Sequence, residues 1–183
     1  MMSWEESKLS AQRVRIRSMC DHDLEDVFQG LSDPRVIRYY GVSFSSLSET
    51  KDQMKWYRDL LNDGTGIWWA VELNQNSEFI GAIGFNNIVK EHYRGEIGFW
   101  LYPEHWGNGY TCEILPVVIN YAFNSMNLRR IEAWVEVGNS ASSSVLLNAG
   151  FTHEGRFHNY EVKNGSPIDV DIFAIVRSGN QQN

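Results

Sequence analysis

The sequence predicts an α+β fold, in which helices flank one central, twisted and mostly antiparallel sheet. In the first half of the chain, apolar runs at Ile67–Leu73 and at 79–85 flank a short polar turn, which is the pattern of a hairpin. In the middle, a strand-like segment leads into a helical pattern and then another strand, which predicts a crossover. Because hairpins stand where a doubly wound parallel sheet needs crossovers, the sheet is expected to be mixed.

The elements before this hairpin are one strand and three helical segments. Residues 14–17 alternate between apolar and basic side chains, which predicts the strand. Asp21 or Asp23 is suited to cap a first helix. Asp33 followed by Pro34 is suited to start a second, since proline is tolerated at the first helical position.

The third helix is predicted from a capping box. Ser46 stands three residues before Glu49, and this spacing lets each side chain bond the backbone N–H near the other. The helical pattern then continues to about residue 61, where the glycine-containing segment 62–66 ends it.

After the hairpin, strands alternate with helices. Apolar residues at helical spacing, such as Ile114, Val118 and Ala122, predict a helix over 108–126. Asn164 followed by Gly165 predicts a tight turn between two strands. The remaining segments are strands at 94–102, 130–137, 151–160 and 169–177, and a short helix at 140–148.

Length and composition indicate one globular domain. The chain has 183 residues and a formal net charge of −7. No run approaches the ~20 apolar residues of a membrane helix. We expect a single domain over 1–183 with its core at about 13–177, located in the cytoplasm, without a membrane partner, as a monomer or homodimer. Cys20 and Cys112 make neither a disulfide framework nor a metal site. The acidic charge argues against a nucleic-acid partner and fits a cationic acceptor.

The junction between the strand at 94–102 and the helix after it is the most informative segment. Gly107 and Gly109 allow a positive φ and a close approach of the backbone to a ligand. The helix start presents unpaired N–H groups, which favour a phosphate. The spacing matches neither the Rossmann fingerprint nor the P-loop. A turn that needs glycine for geometry alone remains the alternative.

The motifs around this junction resemble those of the GNAT superfamily of N-acetyltransferases, and most closely its ribosomal-protein amino-terminal acetyltransferases. They are "EIGFWLYPEHWGNGYTCE", "NYAF", "LRRIEAWVEVGNSASSSVLLNAGF", "EG" and "NYEVKNGSPIDVDIFAIV", and they span roughly 13–177. The resemblance implies a GNAT fold whose fourth and fifth strands, here at about 94–102 and 130–137, splay apart around the pantetheine arm of acetyl-CoA. It also implies transfer of an acetyl group to a primary amine, without a metal.

The same resemblance implies the residues that hold acetyl-CoA. The glycine loop would bind the pyrophosphate, the end of the fourth strand would bind the thioester and pantetheine, and Asn139 would bond a pantetheine amide. Thr111 departs from the small residue of the family pattern, although its hydroxyl is able to donate to a phosphate. The implied cofactor residues are Phe99, Trp100, Leu101, Trp106, Gly107, Asn108, Gly109, Tyr110, Thr111 and Asn139.

Two carboxylates compete for the role of general base, which must take a proton from the acceptor amine. Glu161 matches a glutamate of the ribosomal branch, and Glu96 lies on a strand where many GNAT enzymes place theirs. A surface role for Glu161 and a structural role for Glu96 are the alternatives. Ser142 would protonate or orient the departing thiolate, or would belong to a polar first turn. Direct transfer needs no covalent intermediate, so Cys112 is not required.

The acceptor itself is left open by these residues. The ribosomal resemblance implies the α-amino group of a protein, while a small-molecule amine (an antibiotic, an amino sugar or a polyamine) and a non-catalytic acetyl-CoA-binding module are the alternatives. The acceptor pocket is expected to be aromatic, and its candidates are Tyr39, Tyr40, Trp56, Trp68, Trp69, Phe85, Trp100 and Tyr160.

Overall fold

The computed structural model describes residues 9–177. The helices are α1 (Leu24–Ser32), α2 (Pro34–Ile37), α3 (Leu47–Asp63), α4 (Tyr110–Asn124) and α5 (Ser140–Asn148). The strands are β1 (Leu9–Ser10), β2 (Val14–Ser18), β3 (Ile67–Leu73), β4 (Phe79–Val89), β5 (Arg94–Leu101), β6 (Arg130–Glu136), β7 (Thr152–Lys163) and β8 (Ser166–Val176).

All eight strands belong to one sheet, in the order β1-β2-β3-β4-β5-β6-β8-β7. Neighbours pair antiparallel except β5 and β6, which are parallel and are joined by the α4 crossover. The expected mixed, mostly antiparallel sheet is therefore confirmed. Residues 1–8 and 178–183, the ends of the predicted 1–183 domain, lie outside the described residues.

Strand β3 shows how both faces of the sheet are buried. Trp69 and its alternate neighbours pack against α4, in a cluster with Phe85 and Leu115. Trp68 and Ala70 face the opposite side and pack with α1 and α3. Because side chains alternate along a strand, one apolar run supplies two cores.

The helix caps, the turn before β8 and the short strand β1 agree with the sequence predictions in some cases and not in others. Ser46 accepts the Glu49 N–H at 3.2 Å, so the predicted cap of α3 is confirmed. Asn164 and Gly165 have φ of 51° and 77°, as a tight primed turn requires. Asp23 stands at the N-cap of α1, but the prediction that its side chain caps this helix is wrong. Within residues 9–177 its carboxylate bonds no N–H of α1 and instead accepts from Arg17 and from the Cys20 N–H. Strand β1 was not predicted, because two residues carry no readable pattern.

Candidate functional site

The parallel strands β5 and β6 pair over only three residues each. Arg94, Gly95 and Glu96 pair with residues 130–132, and the ladder then stops. Beyond this point a cavity of about 1250 Å³ opens, lined by residues 96–101 of β5 and 133–136 of β6. The predicted splay of the family's fourth and fifth strands is thus present, with β1 shifting their numbers to five and six.

The glycine loop lies beside this cavity. Gly107 and Gly109 have φ of 73° and 81°, a region that side chains with a Cβ rarely adopt. Gly109 is the N-cap of α4, and no side chain caps its first N–H groups. The Trp106 indole donates to the Leu101 carbonyl at 2.8 Å and fixes the loop to the end of β5. The free N–H groups and the helix dipole make this an anion site.

Arg13 bonds the glycine loop, although it lies 95 residues before Asn108 in the sequence. Its Nη2 donates to the Asn108 carbonyl at 2.7 Å, and its Nε donates to Glu113 Oε1 at 2.5 Å. Its guanidinium also lies 4.7 Å from the centre of the Tyr110 ring. Sequence reasoning missed Arg13, because it precedes the alternating pattern of β2 and no neighbouring residue marks a contact with the loop or with α4.

Of the ten predicted cofactor residues, nine line the cavity. Asn108 is the exception, since it lies on the exposed outside of the loop and offers its carbonyl to Arg13. Thr111 lines the cavity from the first turn of α4, two residues after Gly109.

Asn139 and Ser142 belong to the start of α5, and both line the cavity. Asn139 caps this helix, accepting the Ser142 N–H at 3.2 Å through Oδ1. The capping alternative is therefore present, but it occupies only the oxygen of the amide. The Asn139 Nδ2 donor and the Ser142 hydroxyl make no hydrogen bond to any residue within 9–177, so both are available to a ligand.

Both candidate bases line the cavity, Glu96 from β5 and Glu161 from β7. Glu96, half-buried on β5, accepts a hydrogen bond from Asn87 Nδ2 at 2.8 Å. Glu161, exposed on β7, has no hydrogen-bond or ionic partner among residues 9–177. A carboxylate oxygen is thus free on each wall to take a proton.

A bulge in β7 determines where Glu161 sits. The register against β8 shifts between Phe157 and Glu161, and Asn159 takes a φ of 51°. Asp169 accepts the Asn159 N–H at 2.8 Å and pairs with His158 at 2.8 Å. These contacts, the Asn159 N–H first, lower the pKa of Asp169 and keep it ionised as the support of the bulge.

The aromatic wall of the cavity is only partly as predicted. Trp69 and Phe85 belong to the core on the α4 side and do not reach the cavity, because they point to the other face of the sheet. Tyr160 lies outside the lining and stacks on Trp134 at 5.1 Å. The aromatic residues that do line the cavity are Tyr39, Tyr40, Phe44, Trp56, Trp68, Phe99, Trp100, Trp106, Tyr110 and Trp134.

Within residues 9–177, no group of three or more His, Cys, Asp or Glu side chains is placed to hold a metal ion. No helix in that range is long and apolar enough to span a bilayer.

Known proteins are similar to this chain in sequence and in fold. A family model described as acetyltransferase (GNAT) domain matches residues 13–152. The uncharacterized N-acetyltransferase YoaA of Bacillus subtilis is 36% identical over 92% of this chain and 96% of its own. The ribosomal-protein-serine acetyltransferase of Escherichia coli is 35% identical over 56% of this chain and 57% of its own.

Among solved structures, spermidine N-acetyltransferase from Vibrio cholerae in complex with CoA and spermine superposes with a TM-score of 0.80. The match covers 90% of this chain and 95% of that one, at 23% identity. At this identity the likeness shows the fold alone.

Proposed function

The chain belongs to the GNAT acetyltransferase family and is an acetyl-CoA-dependent N-acetyltransferase, and from this premise we propose that its acceptor is the α-amino group of a protein or peptide, such as a ribosomal protein. The supporting observation is one cavity in which three features meet: the gap between β5 and β6, the uncapped start of α4, and a free carboxylate on each wall. The cytoplasmic location stays a prediction from composition.

Acetyl-CoA is a substrate here, and the cavity residues fit it. The uncapped N–H groups after Gly109 would hold the pyrophosphate. The edge of β5 that β6 leaves unpaired, residues 97–101, would bond the pantetheine and polarise the thioester carbonyl. The Asn139 amide N–H₂ would donate to a pantetheine oxygen. The N–H groups of α4, of the β5 edge and of Asn139 are donors that match the oxygen acceptors of the ligand, and the β5 carbonyls are able to accept from the pantetheine amide N–H groups.

The acceptor chemistry falls to the side chains. Glu161 or Glu96 takes the proton that makes the amine nucleophilic. The amine nitrogen then forms a bond to the thioester carbon and the carbon–sulfur bond breaks. The Ser142 hydroxyl would give its proton to the thiolate and regain one from the nitrogen, which loses its second proton as the amide forms. The proton removed by the carboxylate returns to solvent through the open side of the cavity.

The experiment that tests this function uses one short peptide in two forms, one with a free N-terminus and an internal lysine, the other blocked at the N-terminus. Mass spectrometry after incubation with acetyl-CoA locates the acetyl group. We expect acetylation at the α-amine of the free peptide and none of the blocked peptide. Acetylation of the lysine in both forms would contradict the assignment.

A small cationic amine is the second candidate, and one observation favours it. Asp52, Glu96 and Glu161 all line the cavity and make no ion pair with any side chain in the described range 9–177. Three uncompensated carboxylates suit an acceptor with more than one positive charge. Spermidine and an amino sugar, tested beside the peptides, separate the two candidates by kcat/KM.

A further inference from the structure

Three aromatic side chains form a cluster beside the cavity. Trp134 lies on β6, and Phe157 and Tyr160 lie on β7. The Tyr160 ring stacks on Trp134 with a centroid distance of 5.1 Å and an angle of 11° between the planes. The Phe157 ring centroid lies 5.3 Å from that of Trp134 and 5.2 Å from that of Tyr160. Each ring therefore contacts the other two, and we call this cluster the aromatic triad.

The bulge in β7 is what brings Phe157 and Tyr160 together. Residues three apart in a regular strand point to opposite faces of the sheet. Here Phe157 pairs with Val170 and Glu161 pairs with Ile168, so β7 advances by more residues than β8 over the same stretch of ladder. The extra residues of the bulge allow both rings to reach the same face of the sheet and the same indole.

This bulge is a supported feature of the strand. Asn159 adopts a φ of 51°, a region that residues other than glycine seldom occupy. Asp169 stabilises it by accepting the Asn159 N–H at 2.8 Å and by contacting the His158 ring at 2.8 Å. The triad is thus built by an irregularity that other side chains hold in place, and a regular strand would separate its two β7 rings.

The triad is open to solvent on its outer side. Phe157 is 42% exposed and Tyr160 is 51% exposed, although most of the surface of both side chains is apolar. A single exposed apolar residue is ordinary, but contiguous exposed apolar surface marks a site at which another molecule binds. The rings already contact each other, so the surface that remains exposed is available to a ligand.

The triad shares a wall with the cavity. Trp134 lines the cavity from β6, just beyond the short ladder that β6 forms with β5. Glu161, which directly follows Tyr160, also lines it. Consecutive Cα atoms are about 3.8 Å apart, so the backbone of Tyr160 is next to that of a candidate base. An acceptor whose amine lies in the cavity has the triad beside it, and this favours the acceptor as the molecule that covers the rings.

We propose that the aromatic triad is a subsite for an apolar side chain within the first two residues of the acceptor, so that the enzyme selects peptides with leucine-like or aromatic residues near the acetylated amine. Each residue of an extended peptide spans at most ~3.6 Å, which keeps the first two side chains close to the amine. This inference rests on the proposed function and narrows its substrate class.

The physical reason for selection is the removal of apolar surface from water. An apolar side chain that covers the rings buries its own surface and theirs, and both contributions favour binding. An amide side chain of similar size would leave water without gaining a hydrogen-bond partner from the faces of the rings. Because the triad is open on one side, the discrimination should lie at the low end of the roughly 10–200-fold range of an enclosed apolar pocket.

The test uses peptides that differ at one residue, with leucine or asparagine at the first position in one pair and at the second position in the other. Leucine and asparagine are similar in size and uncharged, so each pair isolates apolar character. We expect wild-type kcat/KM to be about tenfold higher for the leucine peptide in at least one pair. A lysine peptide in each set tests whether the rings prefer a cation.

The variant Tyr160→Ser removes one ring of the triad from an exposed position. It should reduce the ratio of kcat/KM between the leucine and asparagine peptides about threefold, the effect of one lost aromatic contact, with acetyl-CoA affinity intact. Tyr160→Phe keeps the ring and should retain the ratio. Tyr93→Ser, at an exposed tyrosine outside the cavity lining, is the matched control and should also retain it.

The outcomes separate this inference from the proposed function. Turnover of the peptides without a preference for leucine at either position, a preference for lysine over leucine, or an undiminished ratio in Tyr160→Ser would overturn the subsite and leave the acetyltransferase reaction standing. A wild-type dimer in sedimentation that Tyr160→Ser dissociates would place a second copy on the triad and would also overturn it. Absence of turnover with every peptide would overturn the proposed function, and this inference with it.

Discussion

The ammonium of Lys163 lies 2.6 Å from Glu136 Oε2 and also donates to the carbonyl of Arg38, 125 residues earlier in the chain. One side chain thus ties the end of β7 to the end of β6 and to the turn after α2. Glu161 stands two residues before Lys163 and so shares its face of β7. The contact fixes a candidate base against the wall that carries Tyr40.

Replacing this lysine tests the tie. Lys163→Met should raise the KM for the acceptor about tenfold, because the two walls lose their common anchor, while the Kd for acetyl-CoA stays the same. Lys163→Arg keeps both contacts and should recover most of the loss. Lys51→Met, exposed on α3 and outside the cavity, is the control. A parallel loss of acetyl-CoA affinity would indicate general disruption instead.

The carboxylates differ in a way that kinetics should reveal. If Glu161 is the base, Glu161→Gln should lower kcat by about 10²–10⁴-fold without changing acetyl-CoA affinity. Glu96→Gln should then have a smaller effect, since Glu96 already accepts from Asn87. Glu91→Gln, exposed on the turn before β5, serves as the control. Unchanged turnover in both cavity variants would mean that neither Glu161 nor Glu96 is the general base. A larger loss in Glu96→Gln would make Glu96 the base instead of Glu161.

Arg13 should matter for the cofactor and not for the acceptor. Arg13→Met removes the bond to the Asn108 carbonyl and frees the loop between Trp106 and α4. We expect the Kd for acetyl-CoA to rise about tenfold, or ~1.4 kcal/mol, as for one charge-assisted hydrogen bond. Calorimetry measures it, with Arg58→Met, in an exposed pair with Asp21, as the control. An unchanged Kd would mean that the loop keeps its shape unaided.

A buried ion cluster predicts how the fold responds to acid. Arg17 pairs with Asp23 and Glu72, both nearly buried, at 2.6 Å each. Burial alone would raise the pKa of Asp23, but the hydrogen bonds from Arg17 and the Cys20 N–H outweigh it and hold that pKa below its usual range. The unfolded chain therefore binds a proton first as pH falls.

It follows that this stability is present above the ordinary aspartate pKa of about 3.9 and is lost as pH falls from there through the lower folded value. Arg17→Met should lower the free energy of unfolding by about 2 kcal/mol at pH 7, less than for a fully buried pair because Arg17 is partly exposed. It should also weaken the acid dependence. Urea titrations between pH 2.5 and 7 measure both, and an unchanged acid slope would contradict the assignment to Asp23.

The parts of the fold that sequence reasoning predicted are those with a local signal. The cap at Ser46, the turn at Asn164 and the glycine loop each depend on neighbouring residues, and each appears where expected. Arg13 was missed because its partners are about 100 residues away. The wrong placement of Trp69 in the acceptor pocket has a similar cause. Both faces of β3 are buried, so the alternation of its residues does not show which face lines the core and which lines the cavity.

The residues of the candidate site that the sequence predicted also have a signal in the neighbouring sequence. Family motifs predicted the residues around the cavity, and the structure brings all but Asn108 of them to its lining.

The central claim is an acetyl-CoA-dependent transfer to an amine, and the most direct test is thiol release from acetyl-CoA over a panel of acceptors. The panel contains N-terminal peptides of ribosomal proteins, free amino acids, amino sugars and polyamines, with calorimetric acetyl-CoA binding measured alongside. We expect cofactor binding and turnover that is fastest with a peptide α-amine. Tight binding without turnover of any acceptor would contradict the catalytic assignment, and absence of binding would contradict the reading of the loop at Gly107–Gly109.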